Sequence, residues 1–241
     1  MEVFSKSDIG LVRQTNQDDC RFKVLSKSSA WAIVCDGMGG ANGGNVASSA
    51  AVEYIAEAMQ KEYHSKMKLA EISEMMSKIV LGANKKVYEL SKSDPNLEGM
   101  GTTVEFVLVK DNKIHVVHVG DSRTYSIRGG KIIQITTDHS VVQEMVNRGE
   151  ITEEEARVHP SKNYITRALG VNPELRVDYI MTEFNYGDVV LLCSDGLSNY
   201  LDTTQLIQIT HEHRGNELTE ILINTAKEMG GNDNITVVVI Y

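Results

Sequence analysis

The chain lacks the features that mark several large protein classes. It has three cysteines, Cys20, Cys35 and Cys193, an odd count with no Cys-x-x-Cys pair. A disulfide framework is therefore not expected, and a reducing cytoplasm is. Cys35 and Cys193 sit inside the apolar runs WAIVC and VVLLC, where a thiol serves as a small core hydrophobe. A cysteine-nucleophile phosphatase needs an arginine at a short fixed step after the thiol; at that step stand Ser26, Ala41 and Asn199. With only three prolines and no Pro/Ser-rich tract, no linker divides the chain, and one domain over residues 1–241 is expected. No apolar run approaches the ~20 residues of a membrane span, and the opening MEVFSKSDIG has no basic stretch leading into an apolar one. Basic residues are the minority, 24 Lys+Arg against 33 Asp+Glu, which leaves a net charge of −9. So acidic a surface is a poor partner for nucleic acid.

What remains is a chain of ordinary globular composition, 41% hydrophobic and 24% charged, long enough to bury a stable core. Strand-like runs occupy residues 31–35, 102–109, 113–119, 124–127, 131–135, 175–181, 188–193 and 235–241. The gaps at Lys110-Asp111-Asn112 and Arg128-Gly129-Gly130 are too short for the crossover that parallel strands need, so these neighbours are antiparallel. Leu69, Ile72, Met76, Ile79, Ala83, Val87 and Leu90 recur every three or four residues, predicting a helix. A helix over about 45–63 precedes it, with Val46, Ala50, Ile55 and Met59 inward. Another covers 217–229, with Asn216 as N-cap and Gly230 as stop. Helices arriving in pairs between antiparallel meanders predict an α+β layered fold.

Between about 138 and 170 the strand signal fades. Ser140-x-x-Gln143 and Thr152-x-x-Glu155 read as capping boxes opening short helices, in a stretch that carries Arg148, Arg157, Lys162 and Arg167. From the residues alone it is either a surface excursion or a flap over a site.

Three apolar runs end on an aspartate, at Asp36, Asp121 and Asp195, and Asp233 opens a fourth run. One Asp-Gly is ordinarily a turn. Four strand-end acids say more, because antiparallel pairing puts the end of one strand beside the start of its neighbour. Asp195 and Asp233 meet if their strands are neighbours, and Asp36 and Asp121 can approach the same edge. Carboxylates ~4 Å apart repel by about 4 kcal/mol per pair at an effective dielectric of ~20. Protonation or bound cations relieve that repulsion. Oxygen-only ligands select Mg²⁺ or Mn²⁺ over Zn²⁺, and a pair of such ions at neutral pH suits hydrolysis of a phosphate ester.

The glycines Gly37, Gly39, Gly40, Gly43 and Gly44 allow close backbone approach to such a site, and Gly37 has a carbonyl to offer. They match neither nucleotide-binding loop pattern. In Arg13-Gln14-Thr15-Asn16-Gln17-Asp18, Arg13 is either a surface arginine or a phosphate clamp. The seven histidines show no ligand spacing; His115 and His118 differ in parity on one strand, face opposite sides, and are read as structural.

The ordered set RQTNQD, CDGMGG, MGTTVEFVLV, VGDSRTY, TTDHS, TRALG, CSDGLSN and GGNDNITVVVI resembles the metal-dependent protein phosphatases of the protein phosphatase 2C type, in their bacterial form. The resemblance covers essentially the whole chain. It implies two packed antiparallel β-sheets flanked on both sides by helix pairs, with a flap at about 138–170. It also implies Mn²⁺ or Mg²⁺, two ions tightly bound and a weaker third. By motif, Asp36 would bridge the tight pair, Gly37 would lend its carbonyl, and Asp195 and Asp233 would complete the shell. Asp18 would act through water, Asp121 with Asp195 would hold the third ion, and Arg13 would grip phosphate. Two positions depart from the family pattern. Met38 replaces a histidine proposed elsewhere as general acid, and Ser198-Asn199 stands where a hydroxyl residue and an aspartate are usual, behind Asp195.

The implied activity is hydrolysis of phosphoserine and phosphothreonine in proteins by direct attack of metal-activated water. The implied setting is that of a cytoplasmic monomer opposing a bacterial Ser/Thr kinase. The alternatives are a non-catalytic phosphoprotein-binding regulator on the same fold, and a phosphatase dedicated to one sporulation or stress partner. Retention of every motif-matched metal aspartate argues against the first; the absence of an appended sensor or membrane domain weighs mildly against the second.

Overall fold

The structure, a computed structural model, describes residues 1–39 and 43–241; residues 40–42 enter only as the opening of the first helix. Its first sheet has the strand order β1 (Val3–Asp8), β11 (Ile235–Ile240), β10 (Val189–Cys193), β7 (Arg123–Arg128), β8 (Lys131–Gln134). The second runs β2 (Asp18–Ser26), β3 (Ser29–Met38), β5 (Val104–Lys110), β6 (Lys113–Val119), β9 (Asp178–Glu183), with the short β4 (Gly101–Thr102) paired to the end of β3. All pairings are antiparallel. Asp111 and Asn112 both take positive φ, as do Gly129 and Gly130, so each hairpin closes with the two-residue turn whose twist matches its strands.

Alternation along each strand divides the core into three layers. Ala32, Val34, Val107, Val116, Leu192 and Val238 fill the space between the sheets. Trp31, Ile33, Phe106 and Leu108 point the other way, onto α1 (Gly40–Glu62) and α2 (Leu69–Ser93). On the far sheet Leu191, Cys193, Val237 and Val239 pack against α6 (Thr203–Glu212) and α7 (Gly215–Glu228), which contribute Leu206, Leu218 and Leu222. Fully burying a side chain such as Phe106 contributes about 1.5–3 kcal/mol. The expected α-β-β-α stack is therefore present. Among the described residues no helix is long and apolar enough to cross a membrane, and no disulfide forms.

The differences from expectation have physical causes. Residues 102–109 form two strands although the register with β3 does not shift: Thr103 N–H still donates to the Asp36 carbonyl (2.8 Å), but the Asp36 N–H goes to the Thr103 hydroxyl (2.9 Å) and breaks the ladder. The strand expected over 175–181 begins at Asp178, opposite His118; Leu175 and Val177 instead pack against the helix-side core. The last helix begins at Gly215 with Arg214 as its N-cap, not Asn216: no side chain caps it, and the Leu218 N–H reaches back to the Arg214 carbonyl (3.3 Å). Thr152 and Glu155 close a reciprocal capping box. Ser140 caps only one way, because the Gln143 amide bonds Asn147.

Candidate functional site

The four strand-end acids gather at one end of the sandwich. In β10–β11, Cys193 lies opposite Val237, so the chain leaves one strand at Asp195 beside the place where it enters the other from Asp233. Cys193 also pairs Arg123, which brings the turn at Asp121 alongside. On the second sheet Asp18 and Asp36 are direct cross-strand partners.

Local hydrogen bonds hold each acid. Asp36 has its N–H on the Thr103 hydroxyl (2.9 Å) and its carbonyl under the Thr102 hydroxyl (2.9 Å). The Thr103 hydroxyl also bonds that of Ser122, tying this strand to the Asp121 turn (2.8 Å). Ser194 bridges the sheets: its hydroxyl donates to Asp18 Oδ2 (2.8 Å) and accepts from the N–H of Thr236 (3.0 Å). Asn199, at the position where the family pattern has an acid, donates its amide to Asp195 Oδ2 (3.0 Å), so Asp195 keeps a supporting partner. Asn234 draws the loop over residues 9–17 onto the last strand, donating to the carbonyls of Ile9 and Thr15 and accepting from Gln17 N–H. That seam sets Arg13 Nη2 2.7 Å from Asp233 Oδ2. Gly37 is packed between the carbonyls of Gly44 and Gln17, both of which an added Cβ would overlap. Gly40 lies outside the described residues.

The electrostatics are those of crowded carboxylates. Burial, helped by repulsion from Asp195 and Asp233, pushes Asp18 up to about 7 against the hydrogen bonds of Ser194 and Thr236. Burial and the charge of Asp233 push Asp195 up to about 6. Asp36 lies well above the usual range, first through burial, then through Asp18, Asp195, Asp121 and Asp233. Asp121 is raised too, by burial, then by Asp195 and Asp138. The Oδ1 atoms of Asp18 and Asp195 are buried with no hydrogen-bond partner. An unpaired carboxylate oxygen out of water is costly unless a cation or proton meets it. These oxygen-only donors fit a hard divalent ion. Among the described residues no three acidic, His or Cys side chains converge into a ready cage for one ion.

The stretch after β8 folds into α3 (Val141–Asn147) and α4 (Glu153–Val158), closed at its base by the Ser140–Ile165 bridge. Its basic residues divide. Arg148 pairs with Glu150 and Arg167 with Asp178, whereas Arg157 and Lys162 line a cleft that is also lined by Asp121, Asp195 and Tyr200. His115 faces the helices, bonded through Nδ1 to the Tyr179 hydroxyl (2.7 Å); His118 faces the other sheet, bonded to Glu105, which also accepts from Thr124. The two rings face opposite sides, as their parity predicts, and both residues are fully buried.

Several supporting residues escaped the sequence reading: Ser194, Thr103, Asn234, Glu105, and the fork of Arg123 on Asp138 (2.7 and 2.9 Å). The tandem threonines and the hydroxyl preceding Asp195 were the available signals. Glu105 gave one only as a lone acid inside an apolar run.

The protein phosphatase 2C family profile matches residues 12–231. The serine/threonine phosphatase stp of Listeria monocytogenes is 36% identical over 241 residues, which is 100% of this chain and 95% of that protein. The crystal structure of the Mycobacterium tuberculosis serine/threonine phosphatase PstP/Ppp superposes with a TM-score of 0.89 at 35% identity, covering 99% of this chain and 97% of that one. The catalytic domain of serine threonine protein phosphatase PstP, in complex with 2 manganese ions, superposes with a TM-score of 0.85 at 35% identity, covering 99% and 96%.

Proposed function

Because the chain belongs to the protein phosphatase 2C family, in its bacterial form, and is a protein serine/threonine phosphatase, we propose that its carboxylate cluster holds two Mn²⁺ or Mg²⁺ ions tightly and a third more weakly. The buried, partnerless Oδ1 atoms of Asp18 and Asp195 within a mutually repelling set carry this reading. Asp36, Asp195, Asp233 and the Gly37 carbonyl would hold the tight pair, with Asp18 acting through water. Asp121, with Asp195, would hold the third ion. Such small cations keep several waters and use one or two carboxylates each, so they do not need three acids converging on one point. Bound there, the pair would supply a water-derived nucleophile at neutral pH and offset charge on the phosphate.

The chain's own groups do the rest. Arg13 is half exposed and has guanidinium donors beyond the one that Asp233 takes, enough to grip two phosphate oxygens of the incoming phosphoresidue. Met38 cannot donate a proton, so the departing serine or threonine oxygen takes one from water or from another group. The segment over 138–170 acts as the flap, with Arg157 and Lys162 turned to the side where the phosphoprotein enters. The substrates are phosphoproteins, the enzyme works as a cytoplasmic monomer, and a Ser/Thr kinase supplies the modification that it removes. The test is phosphate release from a phosphothreonine peptide. Turnover should require added Mn²⁺ or Mg²⁺, vanish with chelator and survive alkylation of Cys20. Full turnover after exhaustive chelation refutes the proposal.

A further inference from the structure

Away from the acids, a dense set of buried polar contacts centres on His139, whose ring is 6% exposed. Its backbone N–H donates to the carbonyl of Gly120 (2.7 Å), and its ring Nδ1 accepts from the N–H of Gly120 (3.1 Å). One residue thus holds both backbone polar groups of the glycine that precedes Asp121. Gly120 needs such a hold: its φ of 111° is a conformation that glycine adopts freely and leaves freely. The carbonyl of His139 accepts from Thr166 N–H (2.7 Å), and Val141 N–H, two residues on, donates to the Tyr164 carbonyl (2.9 Å). His139 is therefore also the root of the excursion that carries α3 and α4.

The far side of the ring is fixed as well. Nε2 faces Asp178 Oδ2 at 3.3 Å, and Asp178 Oδ1 accepts from Arg167 (2.8 Å). The His118 ring lies 4.5 Å away, itself bonded to Glu105 and to the Thr137 carbonyl (2.9 Å). An amide N–H can donate only to an unprotonated ring nitrogen, so Nδ1 accepts and the proton on Nε2 faces Asp178.

We propose that His139 is a positioning residue that sets the Gly120–Asp121 turn and the root of the flap together, so that the flap's seating and the placement of Asp121 are one structural event. The consequence for turnover rests on the reading of Asp121 as ligand of the weaker cation. The coupling itself does not.

Two variants separate the ring's nitrogens. In His139→Asn the amide oxygen replaces Nδ1 and can accept from Gly120; in His139→Gln the amide nitrogen replaces Nε2 and reaches Asp178 only. Amide hydrogen exchange, resolved at Gly120 and across residues 139–167, is compared for both, beside the Mn²⁺ dependence of p-nitrophenyl phosphate hydrolysis. His139→Gln should speed exchange at Gly120 and at the flap root by about tenfold, the value of one lost hydrogen bond. It should also raise the Mn²⁺ needed for half-maximal turnover and lower kcat with little change in KM. His139→Asn should restore Gly120 protection and most of kcat. Should His139→Gln not fold, Asp178→Asn, which loosens the ring from its far side, must speed Gly120 exchange. Wild-type exchange at Gly120 in the Gln variant, or flap and Gly120 responding separately, overturns the proposal. If the wild-type enzyme proves indifferent to metal, the proposed function fails, and the exchange measurements still decide the coupling.

Discussion

Arg13 donates a 2.7 Å hydrogen bond to Asp233 Oδ2, so the guanidinium proposed to grip phosphate rests against a carboxylate proposed to hold a cation. This contact raises Arg13 above its ordinary value, the hydrogen bond first and the charges of Asp233, Asp195 and Asp36 adding to it.

Arg13→Ala should therefore lower kcat/KM on a phosphopeptide by about 10–150-fold, the value of a charge-assisted hydrogen bond of roughly 1.5–3 kcal/mol. Affinity for Mn²⁺ should hold or tighten, since Asp233 loses a competing cation. Steady-state kinetics and metal titration check this together. An unchanged kcat/KM returns Arg13 to the status of a surface residue.

Ser194→Ala removes the hydroxyl that serves Asp18 and Thr236 at once. Leaving the buried N–H of Thr236 unsatisfied should cost about 1–3 kcal/mol. Urea unfolding in chelator measures it, because bound cation would mask the loss by mass action. Equal midpoints for variant and wild type would show that the bridge between the sheets carries no net stability.

His115 is fully buried, and burial pushes it from 6.5 down to about 4, with Lys110 and Lys113 also lowering it. A histidine held neutral in the fold but free to charge when unfolded contributes stability that is complete above about 6.5. That contribution is lost progressively as the pH falls toward about 4. His115→Phe should make the acid limb of the stability curve shallower by up to one proton, a change read from denaturant midpoints across that window. An identical acid limb would show that His115 protonates without opposing the fold.

The two sheets and the meeting of acids were legible because both rest on short-range rules. Alternating apolar residues declare strands, and antiparallel pairing brings Asp195 beside Asp233. The edge strands β1 and β2 were harder to see. VFSKSD and DDCRFKVLS carry more polar than apolar residues, because most of each strand is only half-buried or exposed. α6 is a ten-residue helix whose clearest signal is the Asp202–Gln205 capping box. Glu105, Ser194 and His139 were opaque for a different reason. Each is explained by a partner far along the chain or in the other sheet, and no local pattern announces such a contact. The N-cap at Arg214 has no local signal: Asn216 satisfies the side-chain capping rule, whereas the helix opens two residues earlier with no side-chain cap.

The most direct test of the account is calorimetric Mn²⁺ titration of Asp36→Asn beside Asp121→Asn, each also assayed on a phosphopeptide. Asp36 is proposed to bridge the tight pair, and Asp121 to touch only the weaker ion. Asp121→Asn should keep tight binding of about two Mn²⁺ per chain while losing much of its turnover, and Asp36→Asn should lose both. Retention of the tight pair by Asp36→Asn, with its loss in Asp121→Asn, would contradict the assignment of the strand-end acids.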